Sequence, residues 1–293
     1  MLQGSMVALV TPFDEQGQVD YAALDALVEF HIESGTHAIV AVGTTGESAT
    51  LTHDEHNQVI AHVVKAVDKR VPVIAGTGSN STSEAIDSTL AAEQAGADFS
   101  LSVVPYYNKP CQRGMYAHFQ AIAENTSLPI LLYNVPGRTA CDLADDTCLA
   151  LARDFDNIVG IKDATGDLQR GRYLIENRPD DFLVISGDDS TALELTLMGG
   201  QGDISVTANV APAQMSEAFE LALLGRADEA RAIYQTLTGL NRDLFVESSP
   251  SPAKYCMAKL GLLQERVRLP LVTMDPAHHS ALDQAMRQAG LIQ

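Results

Sequence analysis

The sequence predicts an α/β protein, a (β/α)₈ or TIM barrel followed by a small C-terminal helical domain, and three observations carry that reading. Over residues 1–225, short apolar runs of strand length alternate with segments whose apolar residues recur at helical spacing. The runs are apolar on both faces, which means buried strands, parallel pairing and helices in the connections. Eight such units are what a closed barrel requires, and the turn after the first run, Thr11-Pro12-Phe13-Asp14, is not the Gly-x-Gly-x-x-Gly expected of the runner-up, a doubly wound open sheet.

Taken in order, the strand candidates are residues 6–10, 38–42, 71–75, 99–104, 130–135, 158–161, 182–185 and 204–206. Between the first two, Leu24, Leu27, Val28 and His31 share one helical face; between the next two, Val59, Ile60, Val63 and Val64 do. Helix entries are marked by Thr52-His53-Asp54-Glu55 and Ser81-Thr82-Ser83-Glu84, both of capping-box form. After Gly225 the alternation stops, and residues 227–240, 253–260 and 277–289 carry helical patterns with no strand between them. We therefore expect a barrel bearing the site over residues 1–225 and a helical domain over 226–293. The stretch Glu247-Ser248-Ser249-Pro250-Ser251-Pro252 is too short to uncouple anything and reads as a turn inside that domain.

Composition excludes several functions. A hydrophobic share of 46% over 293 residues is ample for a core without staples. The net charge of −19 repels polyanions, which argues against nucleic acid and against anionic membranes. No apolar run reaches membrane-spanning length and no signal peptide is evident at the N-terminus, so a cytoplasmic protein is expected. The four cysteines, Cys111, Cys141, Cys148 and Cys256, have neither disulfide-framework density nor metal spacing; reduced thiols and no structural metal follow.

In such a barrel the catalytic groups lie at the C-terminal strand ends and in the loops beyond them. Read there, the chain offers Gly43-Thr44-Thr45-Gly46-Glu47-Ser48, Pro105-Tyr106-Tyr107-Asn108, Tyr133-Asn134-Val135-Pro136-Gly137-Arg138-Thr139 and Lys162-Asp163-Ala164-Thr165-Gly166. Lys162 ends an apolar run, so its ammonium must be paired, solvated or partly deprotonated, and a deprotonated lysine attacks carbonyls. The plain alternative is a strand-end lysine that reaches water or pairs with Asp163. Tyr106, Tyr107 and Tyr133 equally suit amphipathic core positions, and Arg138 a surface ion pair. The 43–46 glycines lack the lysine of a P-loop, and Gly199-Gly200-Gln201-Gly202 suits a phosphate except for the nearby Asp203 and Asp188-Asp189. Hydroxyls, phenols, a guanidinium and a lysine on one rim suit a carbonyl acid.

Four segments, Gly43-Thr44-Thr45-Gly46-Glu47, Tyr133 to Thr139, Gly160-Ile161-Lys162-Asp163-Ala164-Thr165 and Ile204-Ser205-Val206-Thr207-Ala208-Asn209, resemble the signatures of the dihydrodipicolinate synthase family, in family order. The family lies in the pyruvate-dependent class I aldolase superfamily, with N-acetylneuraminate lyase and 2-keto-3-deoxy sugar acid aldolases. The resemblance implies a Schiff base between Lys162 and pyruvate, condensation with L-aspartate semialdehyde, and a place in diaminopimelate and lysine biosynthesis. It implies a proton relay of Tyr133, Thr44 and Tyr107, the last across a subunit contact. Thr45 and the backbone at Ile204 would hold the pyruvate carboxylate, and Arg138 the semialdehyde carboxylate. No cofactor is implied beyond the covalent pyruvate imine. Ser48, Ala49, His53, His56, Asn80, Glu84 and Tyr106 match an inhibitory lysine site, and a homotetramer built as a dimer of dimers is implied. The alternatives are a sugar acid lyase of the superfamily and a non-catalytic barrel that binds a keto acid or a partner protein. The serines at 248, 249 and 251, where many family members carry Asn-Pro-x-Pro, and Asp163 in place of a common Glu depart from the pattern.

Overall fold

A computed structural model describes residues 2–293. Eight parallel strands, β1 (Gly4–Ala8), β2 (Ala38–Ala41), β3 (Val73–Gly76), β4 (Phe99–Val103), β5 (Ile130–Asn134), β6 (Ile158–Asp163), β7 (Leu183–Ser186) and β8 (Gly202–Ser205), close into a barrel. Helices α1 (Tyr21–Glu33), α2 (His53–Val67), α3 (Thr82–Ala95) and α4 (Gln112–Ala123) follow the first four strands. A one-turn α5 (Pro136–Thr139) precedes α6 (Asp145–Asp154), and α7 (Leu168–Asn177), α8 (Ala192–Leu197) and α9 (Pro212–Leu223) complete the ring.

The alternation of side chains along each strand sorts the core into two layers. Met6, Val40, Ile74, Leu101, Leu131, Ile185 and Ile204 fill the barrel, while Val7, Ile39, Val73 and Ala75 face the helices. Four strands differ from the apolar runs in bounds that matter. β1 and β8 begin at Gly4 and Gly202, which pair in register; a Cβ on Gly202 would lie 2.0 Å from the Gly4 carbonyl oxygen, and its φ is +134°. The barrel closes on this glycine pair, which a search for apolar residues skips. At the other end β6 continues through Asp163, so Lys162 lies within the sheet, registered with Tyr133 on β5 and Ile185 on β7. β2 stops one residue early because Val42 takes φ +55°, which turns the chain out of the ladder.

Of the two capping boxes, Thr52 and Glu55 form theirs in full. Ser81 accepts from the Glu84 amide, but the Glu84 carboxylate turns away and accepts from Ser79 Oγ at 2.8 Å, so the second box is half made. Beyond Gly225 come α10 (Ala227–Thr236), α11 (Thr238–Asp243), α12 (Ser251–Lys259) and α13 (His279–Gln288). The single helical pattern over 227–240 thus breaks at Leu237. Leu237, Leu240, Met257, Leu282 and Met286 join one apolar cluster with Leu24, Val59 and Phe219 from the helix ring. Among the described residues no helix is long and apolar enough to cross a membrane. All four cysteines are free, Cys111 exposed and the others buried.

Candidate active site

β6 carries Lys162 into the barrel: Ile161 packs outward against the helices, so alternation points the next residue inward, where it is 6% exposed. Pairing with Asp163 does not occur. That carboxylate faces the other way, accepting from Arg170 Nε of α7 at 3.0 Å and from the Thr165 amide and hydroxyl. Burial pushes the Asp163 pKa up, against the pull of Arg170. Among the described residues Lys162 has no ion-pair partner, and its Nζ lies 4.5 Å from the centroid of the Tyr133 ring. An amine unclaimed by any carboxylate and placed beside a phenol is equipped to attack a carbonyl and exchange protons.

The room for this side chain comes from Gly187, directly after β7. A Cβ there would lie 2.5 Å from Lys162 Cε and 2.9 Å from Ala164 Cβ. Sequence reasoning passed over this residue, because a lone glycine after a strand reads as a turn until its neighbour in space is known.

The 43–47 turn brings Thr44 and Thr45 to the same rim. Gly46 N donates to Gly43 O at 3.0 Å, Glu47 N to Thr44 O at 3.1 Å, and Thr11 Oγ1 to Gly46 O at 2.7 Å. Thr45 is buried and Thr44 half-buried. Val42 and Glu47, on either side of the turn, both take left-handed backbone conformations, at φ +55° and +57°. Neither residue adopts that region unaided, so surrounding contacts hold it.

β5 continues into α5, which presents Arg138 at the surface, among the described residues without an ion-pair partner. Its side chain lines a cavity of about 410 Å³ together with Thr44, Val103 and Val135. The same cavity is lined by Ser48, Ala49, His53, His56, Glu84 and Tyr106. Six of the seven residues singled out for an inhibitory amino acid thus share one space with Thr44 and Arg138. The seventh, Asn80, sits beside it, its Nδ2 donating to Tyr106 O at 3.1 Å. His56 is half-buried, and desolvation lowers its pKa. Lys162 and Tyr133 lie deeper and do not line this cavity. Tyr107 belongs to neither group: it is 88% exposed, on backbone at φ +72°.

Ile204 faces the barrel interior in the same cluster as Tyr133. The backbone after it is held by Asp189, which accepts from Ser205 Oγ, from Val206 N at 3.0 Å and from Thr207 N at 3.1 Å. Tyr234 of α10 in turn donates to the Asp189 carbonyl at 2.5 Å. Among the described residues the buried Asp203 has no hydrogen-bond partner on either carboxylate oxygen, and burial, then the neighbouring Asp189, holds its pKa well above the carboxylate range. The glycines at 199–202 do not form a phosphate site on this rim. They enter β8 at the opposite end of the barrel, where the Gln201 side chain accepts from Val184 N at 2.7 Å and Arg178 at 2.6 Å.

With this geometry in hand, comparison places the chain among known proteins. The sequence model described as the Dihydrodipicolinate synthetase family matches residues 1–289. A protein of Pseudomonas aeruginosa named 4-hydroxy-tetrahydrodipicolinate synthase is 57% identical over 292 residues, covering 100% of both chains. The crystal structure of the chloride-inhibited dihydrodipicolinate synthase of Acinetobacter baumannii, complexed with pyruvate, superposes with a TM-score of 0.98 at 50% identity, covering 100% of both chains. The enzyme of Cyanidioschyzon merolae, solved with lysine bound, has a TM-score of 0.96 at 41% identity, covering 99% of each chain.

Proposed function

This chain belongs to the dihydrodipicolinate synthetase family, and from that membership we propose how its barrel works. Its activity is that of a 4-hydroxy-tetrahydrodipicolinate synthase, a lyase of the diaminopimelate route to lysine that condenses pyruvate with L-aspartate semialdehyde. The Lys162 amine attacks the ketone carbon of pyruvate and water leaves, forming an imine. The imine withdraws electrons, the methyl group gives up a proton, and the enamine carbon bonds to the aldehyde carbon of the semialdehyde. The amino group of that second substrate then attacks the imine carbon, closing the ring and expelling the Lys162 amine. No cofactor beyond this covalent pyruvate takes part.

The observation that carries this reading is the buried amine of Lys162, unclaimed by any carboxylate and 4.5 Å from the Tyr133 ring centroid. Tyr133 gives and takes the protons, because a phenol donates and accepts within one geometry. Thr44 and Tyr107 extend the relay. Tyr107 does so from the partner subunit, a role its 88% exposure favours and which makes a dimer the smallest complete unit, two dimers forming a tetramer. Thr45 and the backbone at Ile204 hold the pyruvate carboxylate. Arg138 at the cavity wall offers a planar fork to the second carboxylate, and in a chain of net charge −19 such a local cation offsets a repulsive background. Ser48, Ala49, His53, His56, Asn80, Glu84 and Tyr106 bind lysine as inhibitor, with Glu84 facing its ammonium. We place the enzyme in the cytoplasm, with the reaction carried by a barrel domain over 1–225 and residues 226–293 forming the helical domain.

Borohydride reduction in the presence of pyruvate, followed by peptide mass analysis, tests the mechanism. The expected adduct is on the peptide containing Lys162; its absence there removes the Schiff-base route. Turnover with aspartate semialdehyde but not with sugar aldehydes, in the presence of pyruvate, separates the synthase from the sugar acid lyases of the superfamily.

A further inference from the structure

Glu47 closes the turn that carries Thr44 and Thr45, and it is held from the far end of the chain. Its side chain and that of Lys254, on α12, are both fully buried, with Nζ 2.6 Å from Glu47 Oε1. The second carboxylate oxygen accepts from the Arg268 amide at 3.0 Å. Lys254 also donates to the Arg266 carbonyl at 2.7 Å and sits 4.2 Å from the centroid of the Phe13 ring; the Arg268 guanidinium lies 4.5 Å from the same ring. Arg268 then reaches Thr50 O at 3.2 Å and Glu55 at 2.7 Å, so the same C-terminal segment grips the chain at Glu47 and again just beyond it.

A buried ion pair is weak evidence of stability, since desolvating both charges offsets most of their attraction. What it supplies here is position. Glu47 is a non-glycine residue at φ +57°, and the turn's own hydrogen bonds, Glu47 N to Thr44 O and Gly46 N to Gly43 O, leave the Glu47 side chain free to set its orientation. Removing the anchor therefore frees a strained residue one peptide from Gly46 and two from Thr45. The serine-rich 248–251 stretch, which departs from the family pattern, leads straight into the helix that bears Lys254.

We propose that Lys254 is a positioning residue for the reaction: through Glu47 it fixes the 43–47 turn, and with it Thr44 and Thr45, from outside the barrel. This rests on the reading of Thr45 as a ligand of the pyruvate carboxylate. Without touching substrate, Lys254 then governs pyruvate binding and, through Thr44, proton transfer.

The test is steady-state kinetics of Lys254→Met, Lys254→Arg, Glu47→Gln and the double variant Glu47→Gln/Lys254→Met on the full chain, with Thr45→Val alongside. Lys254→Met should raise KM for pyruvate and lower kcat/KM by about tenfold or more, while borohydride at saturating pyruvate still labels Lys162. The double variant, which removes both buried charges, should recover thermal stability yet keep the raised KM, and Lys254→Arg should restore part of it. If Lys254→Met does not fold, Glu47→Gln and the double variant carry the same comparison. Raised KM in Thr45→Val but wild-type KM and kcat in the folded Lys254 and Glu47 variants overturns the proposal alone. Wild-type KM in Thr45→Val overturns the reading of the turn, and the proposal falls with it.

Discussion

Gly187 and Lys162 share one volume: the lysine side chain runs where a Cβ on the glycine would be, with Cε 2.5 Å and Cγ 3.0 Å from that point. The Gly187 backbone is outside the left-handed region, so the chain itself accepts alanine; the closest collision is with the lysine, and the neighbouring Ala164 Cβ, 2.9 Å away, must give slightly. Gly187→Ala should therefore fold, yet lower kcat/KM by about 100-fold, the scale expected when a reacting atom is moved by about 1 Å. The rate of borohydride trapping with pyruvate checks this; a wild-type rate would show that the lysine has another path to the substrate.

Tyr133→Phe keeps the ring beneath the Lys162 amine and removes only the phenol. We expect a loss in kcat of about 100-fold or more, typical of a missing acid-base group, with little change in thermal midpoint because the ring still packs in the barrel cluster. Mass analysis after reduction should still find the Lys162 adduct at saturating pyruvate, since the nucleophile is intact.

Glu84 bears the only carboxylate among the seven residues proposed to bind lysine, and it is held towards the cavity by Ser79 at 2.8 Å. Glu84→Gln should raise the lysine concentration needed for half inhibition by about tenfold, the loss of one charge-assisted hydrogen bond of about 1.5 kcal/mol. Inhibition curves, each referred to the same variant without lysine, measure it. Activity of the wild-type protein unchanged in millimolar lysine would remove the regulatory site.

Two buried histidines make acid destabilise the fold before its exposed carboxylates titrate, against the opposite contribution of the buried Asp203, whose pKa burial raises. Burial pushes the His31 pKa from 6.5 down to about 3, and that of His118 from 6.5 down to about 4. The unfolded chain therefore binds protons that the folded chain refuses, and stability falls as pH drops below 6.5 until the folded groups themselves titrate. Glu55, lowered from 4.5 to about 2 by its hydrogen bonds to Arg268 and to the Thr52 amide, adds a loss that begins below 4.5. Between pH 7 and pH 5 the urea midpoint of the wild type should fall relative to that of His31→Leu; a difference between the two that does not change with pH contradicts the assignment.

The Pro105–Asn108 and Pro136–Thr139 segments show where sequence reasoning stops. Both were legible as rim loops, because strand and helix patterns place the C-terminal strand ends without reference to distant residues. That Tyr107 stands in solvent while Arg138 lines the cavity was not legible, since nothing in either segment records which way a loop residue turns. Likewise the second capping box had the right residues, but Ser79 drew the Glu84 side chain away from the helix entry.

By itself the sequence determined the barrel, the strand that bears Lys162 and the set of reactive groups on its rim, because periodic burial is a local pattern and a lysine at the end of an apolar run is rare enough to notice. The tertiary structure alone decided that Gly187 clears the space for that lysine, that Asp163 turns to Arg170 and leaves the amine unclaimed, and that Lys254 grips Glu47 from 207 residues away. Such contacts join residues whose spacing follows no period, and they exist only once the barrel closes and packs its C-terminal helices against the 43–47 turn.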